Sequence, residues 1–180
     1  AKTTLESWIA SGILKQDPDP CLYIYAQTFR EKTQYGLVAC ASVNDYLANV
    51  IRKHELTRVE KEIDRKTHIR VTNFNCEPVF FAYRDHAEMD AIMMKKAAEI
   101  PEYDFTADDG IRHQCWVIHE PAAIGRIEAI FRDEIPFTYV ADGHHRTAAA
   151  AHVGEERKKA NHAHNGNEAY NFFLAVHFPA

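Results

Sequence analysis

The stretch that most constrains this chain runs from Phe137 to Ala151 and reads Phe-Thr-Tyr-Val-Ala-Asp-Gly-His-His-Arg-Thr-Ala-Ala-Ala-Ala. A β-type apolar run, Phe137 to Val140, ends in Asp142-Gly143. Two histidines and an arginine follow, and then an alanine-rich segment of high helical propensity. The pattern predicts a strand that turns through glycine into a helix. A helix start offers unpaired N–H groups and the positive end of the backbone dipole. His144, His145 and Arg146 stand in that first turn, where cations oppose the dipole unless an anion is held there. The segment therefore predicts an anion site, most naturally for phosphate. Arg146 supplies a planar fork for its oxygens.

The rest of the chain shows how such a unit is built in. Leu5, Trp8, Ile9, Ile13 and Leu14 recur at helical spacing, so residues 3–14 read as a helix, broken by Asp17-Pro18-Asp19-Pro20. Two β-rich runs, 21–29 and 35–43, flank residues 30–34 and predict a hairpin. Alternation of Leu22 and Ile24 with Tyr23 and Tyr25 suits a sheet covered on both faces. Residues 44–65 read as helical, with Asn44 or Asp45 as cap. A second start falls at Thr57, paired with Glu60 as a capping box. His54 and Glu55 then lie in the kink between two helices.

Residues 78–83 read as a strand. Residues 87–100 read as an amphipathic helix with Met89, Ile92, Met93 and Ala97 on its core stripe. Residues 103–107 and 112–118 flank Asp108-Asp109-Gly110, a hairpin turn. A helix over 121–132 opens on proline. The helix after Gly143 extends to about 158, and a final strand spans 171–178. Helices and strands are interspersed, with hairpins as well as strand–helix–strand passages. The fold class is therefore α+β (mixed α/β), a mixed sheet flanked by helices. The 180 residues fit a single domain, 1–180. The start at Ala1 and the stop just after an apolar strand suggest a piece of a longer protein.

Bulk properties narrow the partners. A formal net charge of −5 disfavours direct nucleic-acid binding. No run of about 20 apolar residues is present, so no membrane partner is expected. Cys21, Cys40, Cys76 and Cys115 form no CxxC pair, which suggests reduced, mostly buried thiols and a cytoplasmic location. The 11 histidines match no zinc-finger or H-E-x-x-H spacing, so a structural zinc site is disfavoured. Asp142 beside a bound phosphate suits Mg2+, which commonly takes one or two carboxylates and substrate oxygens. Glu55 next to His54 is a second candidate base or metal partner, although from pattern alone an exposed helix junction is the favoured reading of the pair. Lys61 and Arg65, four apart on one helix face, reach a phosphate or pair with neighbouring glutamates. No P-loop, dinucleotide fingerprint or G-x-S-x-G elbow is present.

Several stretches, taken in order, resemble one family. They are Tyr23-Ile24-Tyr25, His54-Glu55-Leu56-Thr57 with Lys61 and Asp64-Arg65, Pro78-Val79-Phe80, Asp109-Gly110-Ile111-Arg112-His113 and Ala141-Asp142-Gly143-His144-His145-Arg146. They resemble the bacterial and archaeal domain-of-unknown-function family "ten-fifteen", over nearly the whole chain. Members of that family are longer, so the chain resembles their central portion. It departs at Thr147-Ala148, where the family usually continues Tyr-Glu.

The Asp-Gly-His-His-Arg signature also resembles the phosphate motif of the ParB/sulfiredoxin superfamily, which includes partition CTPases, sulfiredoxin and an archaeal ADP-dependent free-serine kinase. The resemblance implies a ParB/sulfiredoxin-like core, with nucleotide phosphates at the helix start held by Gly143, His145 and Arg146. His144 falls where sulfiredoxin has its nucleophilic cysteine, which argues against thiol chemistry. The implied function is a nucleotide-dependent kinase or phosphohydrolase acting on a small polar metabolite. Its cofactors would be ATP, ADP or CTP with Mg2+, its catalytic residues Asp142, Glu55 and His144, and its charge-neutralising residues Lys61 and Arg65. Alternatives are a non-catalytic nucleotide-sensing module of the ParB type, for which a homodimer is one assembly, and a metal-dependent hydrolase.

Overall fold

A computed structural model describes residues 1–180. Eight strands form one mixed sheet, and six helices are threaded between them. The elements are α1 (Lys2–Ala10), β1 (Leu22–Phe29), β2 (Lys32–Ser42), α2 (Val43–Leu47), β3 (Ile51–Arg52), α3 (Val59–Thr72), β4 (Val79–Tyr83) and α4 (Ala87–Ala97). They continue with β5 (Tyr103–Thr106), β6 (Arg112–Ile118), α5 (Pro121–Asp133), β7 (Thr138–Asp142), α6 (His144–Ala160), a 3-10 turn (Ala169–Asn171) and β8 (Phe172–Pro179). The strand order is β3-β7-β4-β8-β2-β1-β6-β5. The β3–β7 and β4–β8 pairs are parallel and the others antiparallel, so the expected mixed sheet is observed.

One sheet face carries the helices. Alternate residues Val79, Phe81 and Tyr83 of β4 point to it, as do Leu37 and Ala41 of β2 and Ile24 and Ala26 of β1. Toward the β7 end, Val43 and Tyr46 of α2 and the alanines of α6 pack over Val79, Phe81 and Val140. Toward the β6 end, Met89 and Met93 of α4 and Ile127 and Ile130 of α5 pack over Ile24, Leu37 and Trp116. The alanines explain how α6 lies so close to the sheet: small side chains let the backbone approach. Gly154 serves a different contact, with the 3-10 turn, since a Cβ there would meet the Tyr170 carbonyl oxygen at 2.6 Å. The other face carries Tyr23, Tyr25, Val38, Phe80 and Phe178, all only partly buried. The expectation of a sheet covered on both faces is thereby corrected; aromatic and β-branched bulk serves a half-covered face as well as a buried one.

The local differences from expectation have physical causes. Helix α1 stops at Ala10 because Gly12 turns into the left-handed region, leaving Ile13 and Leu14 outside. The first hairpin is tighter than expected: Phe29 pairs with Lys32 across a two-residue turn with Arg30 at φ 56°. The segment 44–65 is not one broken helix. Ser42, not Asn44 or Asp45, caps the short α2, and Asn49 at φ 60° ends it. The chain then adds the two-residue β3 beside β7 before α3 begins. Thr57 donates to Glu62 instead of closing a box with Glu60. Helix α4 ends at Ala97, short of Ile100. All four cysteines are free and none is buried, against the expectation of mostly buried thiols. No helix is long and apolar enough to cross a membrane.

Candidate functional site

Strand β7 reaches Asp142, and Gly143 turns the chain into α6 at φ 97°. Only glycine adopts that geometry without strain. Space demands it too, because a Cβ on Gly143 would meet Val79 Cγ1 of the adjacent β4 at 2.8 Å. The turn therefore presses the first turn of α6 against β4. No side chain caps this helix start.

Arg146 is anchored on both sides. It donates to the Pro78 carbonyl oxygen at 2.6 Å and to Asp142 Oδ2 at 2.5 Å, and lies 3.5 Å from Glu77 Oε2. His145 accepts the Arg58 N–H at its Nε2 at 3.0 Å. That nitrogen must keep its lone pair, so the ring proton sits on Nδ1. His145 thus caps α3 from the first turn of α6. A further tie between these helices is Arg70, which donates to both Glu156 oxygens, at 2.6 and 2.9 Å from one nitrogen. Glu62 of α3 completes the seam, with Lys66, Thr57 and His152 around it. Burial opposes the Glu62 charge, but hydrogen bonds from Lys66 and Thr57 and the His152 ring outweigh it and hold the carboxyl below its usual range.

Between α3, the loop 53–58 and the α6 start lies an open cavity of about 510 Å3. Its nine lining residues are Glu55, Glu60, Lys61, Asp64, Arg65, Gly143, His144, His145 and Arg146, and none is hydrophobic. Seven of the eight residues expected at the site from sequence converge here. Asp142 does not line the cavity; its carboxylate is turned onto Arg146 and its side chain is 68% exposed. Glu60 and Asp64 join the site unforeseen. The signal was present in the helix period, because 60, 61, 64 and 65 share one face of α3. Lys61 makes no ion pair, whereas Arg65 lies 3.7 Å from Glu77 and not against the helix glutamates.

His144 is the most constrained of the lining residues. Its side chain is 5% exposed, and its Nε2 is enclosed without a hydrogen-bond partner. Its Nδ1 faces Glu55 Oε2 at 3.6 Å, and its ring meets His54 edge to face at 4.5 Å. Burial, reinforced by His54, pushes the His144 imidazole below its usual range, with Glu55 and Asp142 opposing. The ring is therefore neutral at neutral pH. The lining then sets three permanent cations, Lys61, Arg65 and Arg146, against three carboxylates, Glu55, Glu60 and Asp64.

A mixed sheet helix-covered on one face, with a polar cavity at a strand–glycine–helix turn, defines an α/β protein with a candidate polar-ligand site. The chain belongs to the family DUF1015, proteins of unknown function, whose model matches residues 1–180. No curated protein and no solved structure is found to match it. The likeness to the ParB/sulfiredoxin superfamily accordingly rests on the Asp-Gly-His-His-Arg residues alone.

Proposed function

We propose that this chain binds the phosphates of a nucleotide at the α6 start and transfers or hydrolyses a phosphoryl group on a small polar metabolite. The observation that carries this reading is the cavity itself. Nine residues, none of them hydrophobic and eight of them ionisable, line a space beside an uncapped helix start, with three guanidinium or ammonium groups among them. Phosphoryl transfer asks mainly for positioning and charge stabilisation, which this lining provides.

In this reading Arg146, Lys61 and the α6 N–H groups hold the phosphate oxygens, and Arg65, which shares Glu77 with Arg146, adds charge beside them. An acceptor hydroxyl attacks the terminal phosphorus, its proton passes to one of the lining carboxylates, and the nucleotide leaves with the bonding electrons. The even balance of cations and carboxylates favours a phosphate that arrives with a divalent cation over a bare one. Asp142 serves as a Mg2+ ligand only if its pair with Arg146 opens, which places Glu55, Glu60 and Asp64 ahead of it.

The test is to mix the protein with ATP, ADP or CTP, Mg2+ and a panel of amino acids and other small alcohols, and to follow phosphorylated products by phosphorus NMR. Turnover is expected. Binding without turnover moves the reading to a nucleotide sensor. If no nucleotide or pyrophosphate binds at millimolar concentration, the reading fails. Lys61 gives the cleanest variant, because it is exposed and makes no ion pair. Lys61→Ala is expected to weaken nucleotide binding about tenfold, the loss of one charge-assisted hydrogen bond. Its stability should change by no more than about 0.5 kcal/mol.

A further inference from the structure

Beside the cavity, three donor side chains converge from two elements. His54 and Glu55 come from the loop between β3 and α3, and His144 from the first turn of α6. One ligand atom from each lies within 4.8 Å of the others. The Glu55 carboxylate faces both rings, Oε1 3.9 Å from His54 Nε2 and Oε2 3.6 Å from His144 Nδ1. Both separations are too long for hydrogen bonds. His144 is buried, yet neither of its ring nitrogens makes a hydrogen bond. A buried polar ring in that state is costly unless something else engages it.

We propose that His54, Glu55 and His144 form a binding site for a first-row transition dication such as Zn2+, at the wall of the phosphate cavity. Two imidazoles and one carboxylate are a borderline donor set of the kind zinc takes in three-ligand sites with an open position. Mg2+ prefers oxygen throughout and is disfavoured here. Tetrahedral ligands about 2.0–2.1 Å from zinc lie about 3.3 Å apart, so the donors need only draw in slightly. The movement falls on the loop, where His54 and Glu55 are each 61% exposed, while His144 is fixed by α6. Coordination gives His144 Nδ1 a polar partner and fixes the ring proton on the enclosed Nε2.

Glu55 and His144 also line the cavity, so a cation held there faces any phosphate within it. The assignment makes Glu55 a ligand and leaves Glu60 and Asp64 as the cavity carboxylates able to take a proton. It does not depend on which anion the cavity holds.

The test uses chelator-treated protein titrated with Zn2+ alone by calorimetry, and with Co2+ by visible absorption. One ion per chain is expected, with a rise in melting temperature that Mg2+ at equal concentration does not produce. The informative variants are His54→Ala and Glu55→Gln, whose exposed loop positions leave folding intact; His144→Ala is avoided because that ring is buried. Each should weaken Zn2+ binding by more than the roughly 10–100-fold that losing an outer-shell partner costs. The absence of Zn2+ binding, or an affinity unchanged in both variants, overturns the proposal. So does an intense thiolate-to-cobalt band, which would put the ion on a cysteine. Binding of pyrophosphate with Mg2+ to zinc-free protein is measured in parallel. If it persists while zinc binding fails, the metal site alone falls; if zinc binds and pyrophosphate does not, the phosphate reading alone falls.

Discussion

At the scale of single residues, Gly143 decides where everything else stands. Its φ of 97° and the 2.8 Å approach that a Cβ would make to Val79 act together. A methyl group there both strains the backbone and wedges β7 from β4. Gly143→Ala should therefore cost about 2–4 kcal/mol in chemical denaturation, combining backbone strain with overpacking. The need for glycine at this turn is legible in the sequence, because a β-type run, Asp-Gly and an alanine-rich helix adjoin one another. The second reason is not legible, since Val79 is distant in the chain and reaches Gly143 only through strand pairing. The same holds for His144. Its place in the motif is readable, but its meeting with His54 depends on where β3 docks.

At the scale of elements, the cavity is a product of how α3 sits on α6. The two helices share the Glu62 cluster, the Arg70–Glu156 fork and the bond from Arg58 N–H to His145. Exposed ion pairs such as Arg70–Glu156 contribute little net stability, so their role is to fix the approach of the helices. His145 has a more local effect, because it satisfies a backbone N–H at the start of α3. His145→Ala should lower stability by about 1 kcal/mol, as loss of a helix cap does. Hydrogen exchange should locate that loss in the first turn of α3, with the far end of the helix unchanged; uniform acceleration along α3 would contradict the capping role. Most element types are readable from periodicity, including α4, α5, α6 and the β5–β6 hairpin. The region 44–65 is not, because its charged residues carry a helical period that strand pairing overrides. Two residues, Ile51 and Arg52, join β7 in parallel, and no local signal marks so short an edge strand.

At the scale of the whole molecule, one buried group ties the sheet to its helix layer and makes stability depend on pH. His177 lies on β8, buried, with the rings of Phe81 and Phe131 against it. Its Nδ1 has no hydrogen-bond partner. Burial pushes its imidazole down to about 4. In the unfolded chain the same ring takes a proton near pH 6.5. Between these values the unfolded state binds a proton that the folded state refuses. Folding stability is therefore full above pH 6.5 and declines as pH falls toward 4. At about 1.4 kcal/mol for each tenfold in proton affinity, the loss amounts to about 3 kcal/mol. Denaturation of the native chain at a series of pH values should show this slope. In His177→Leu, which keeps the apolar contacts and removes the titrating group, the decline between pH 6.5 and 4 should shrink by about that amount. A variant with the native slope intact would show that the acid sensitivity comes from elsewhere in the fold.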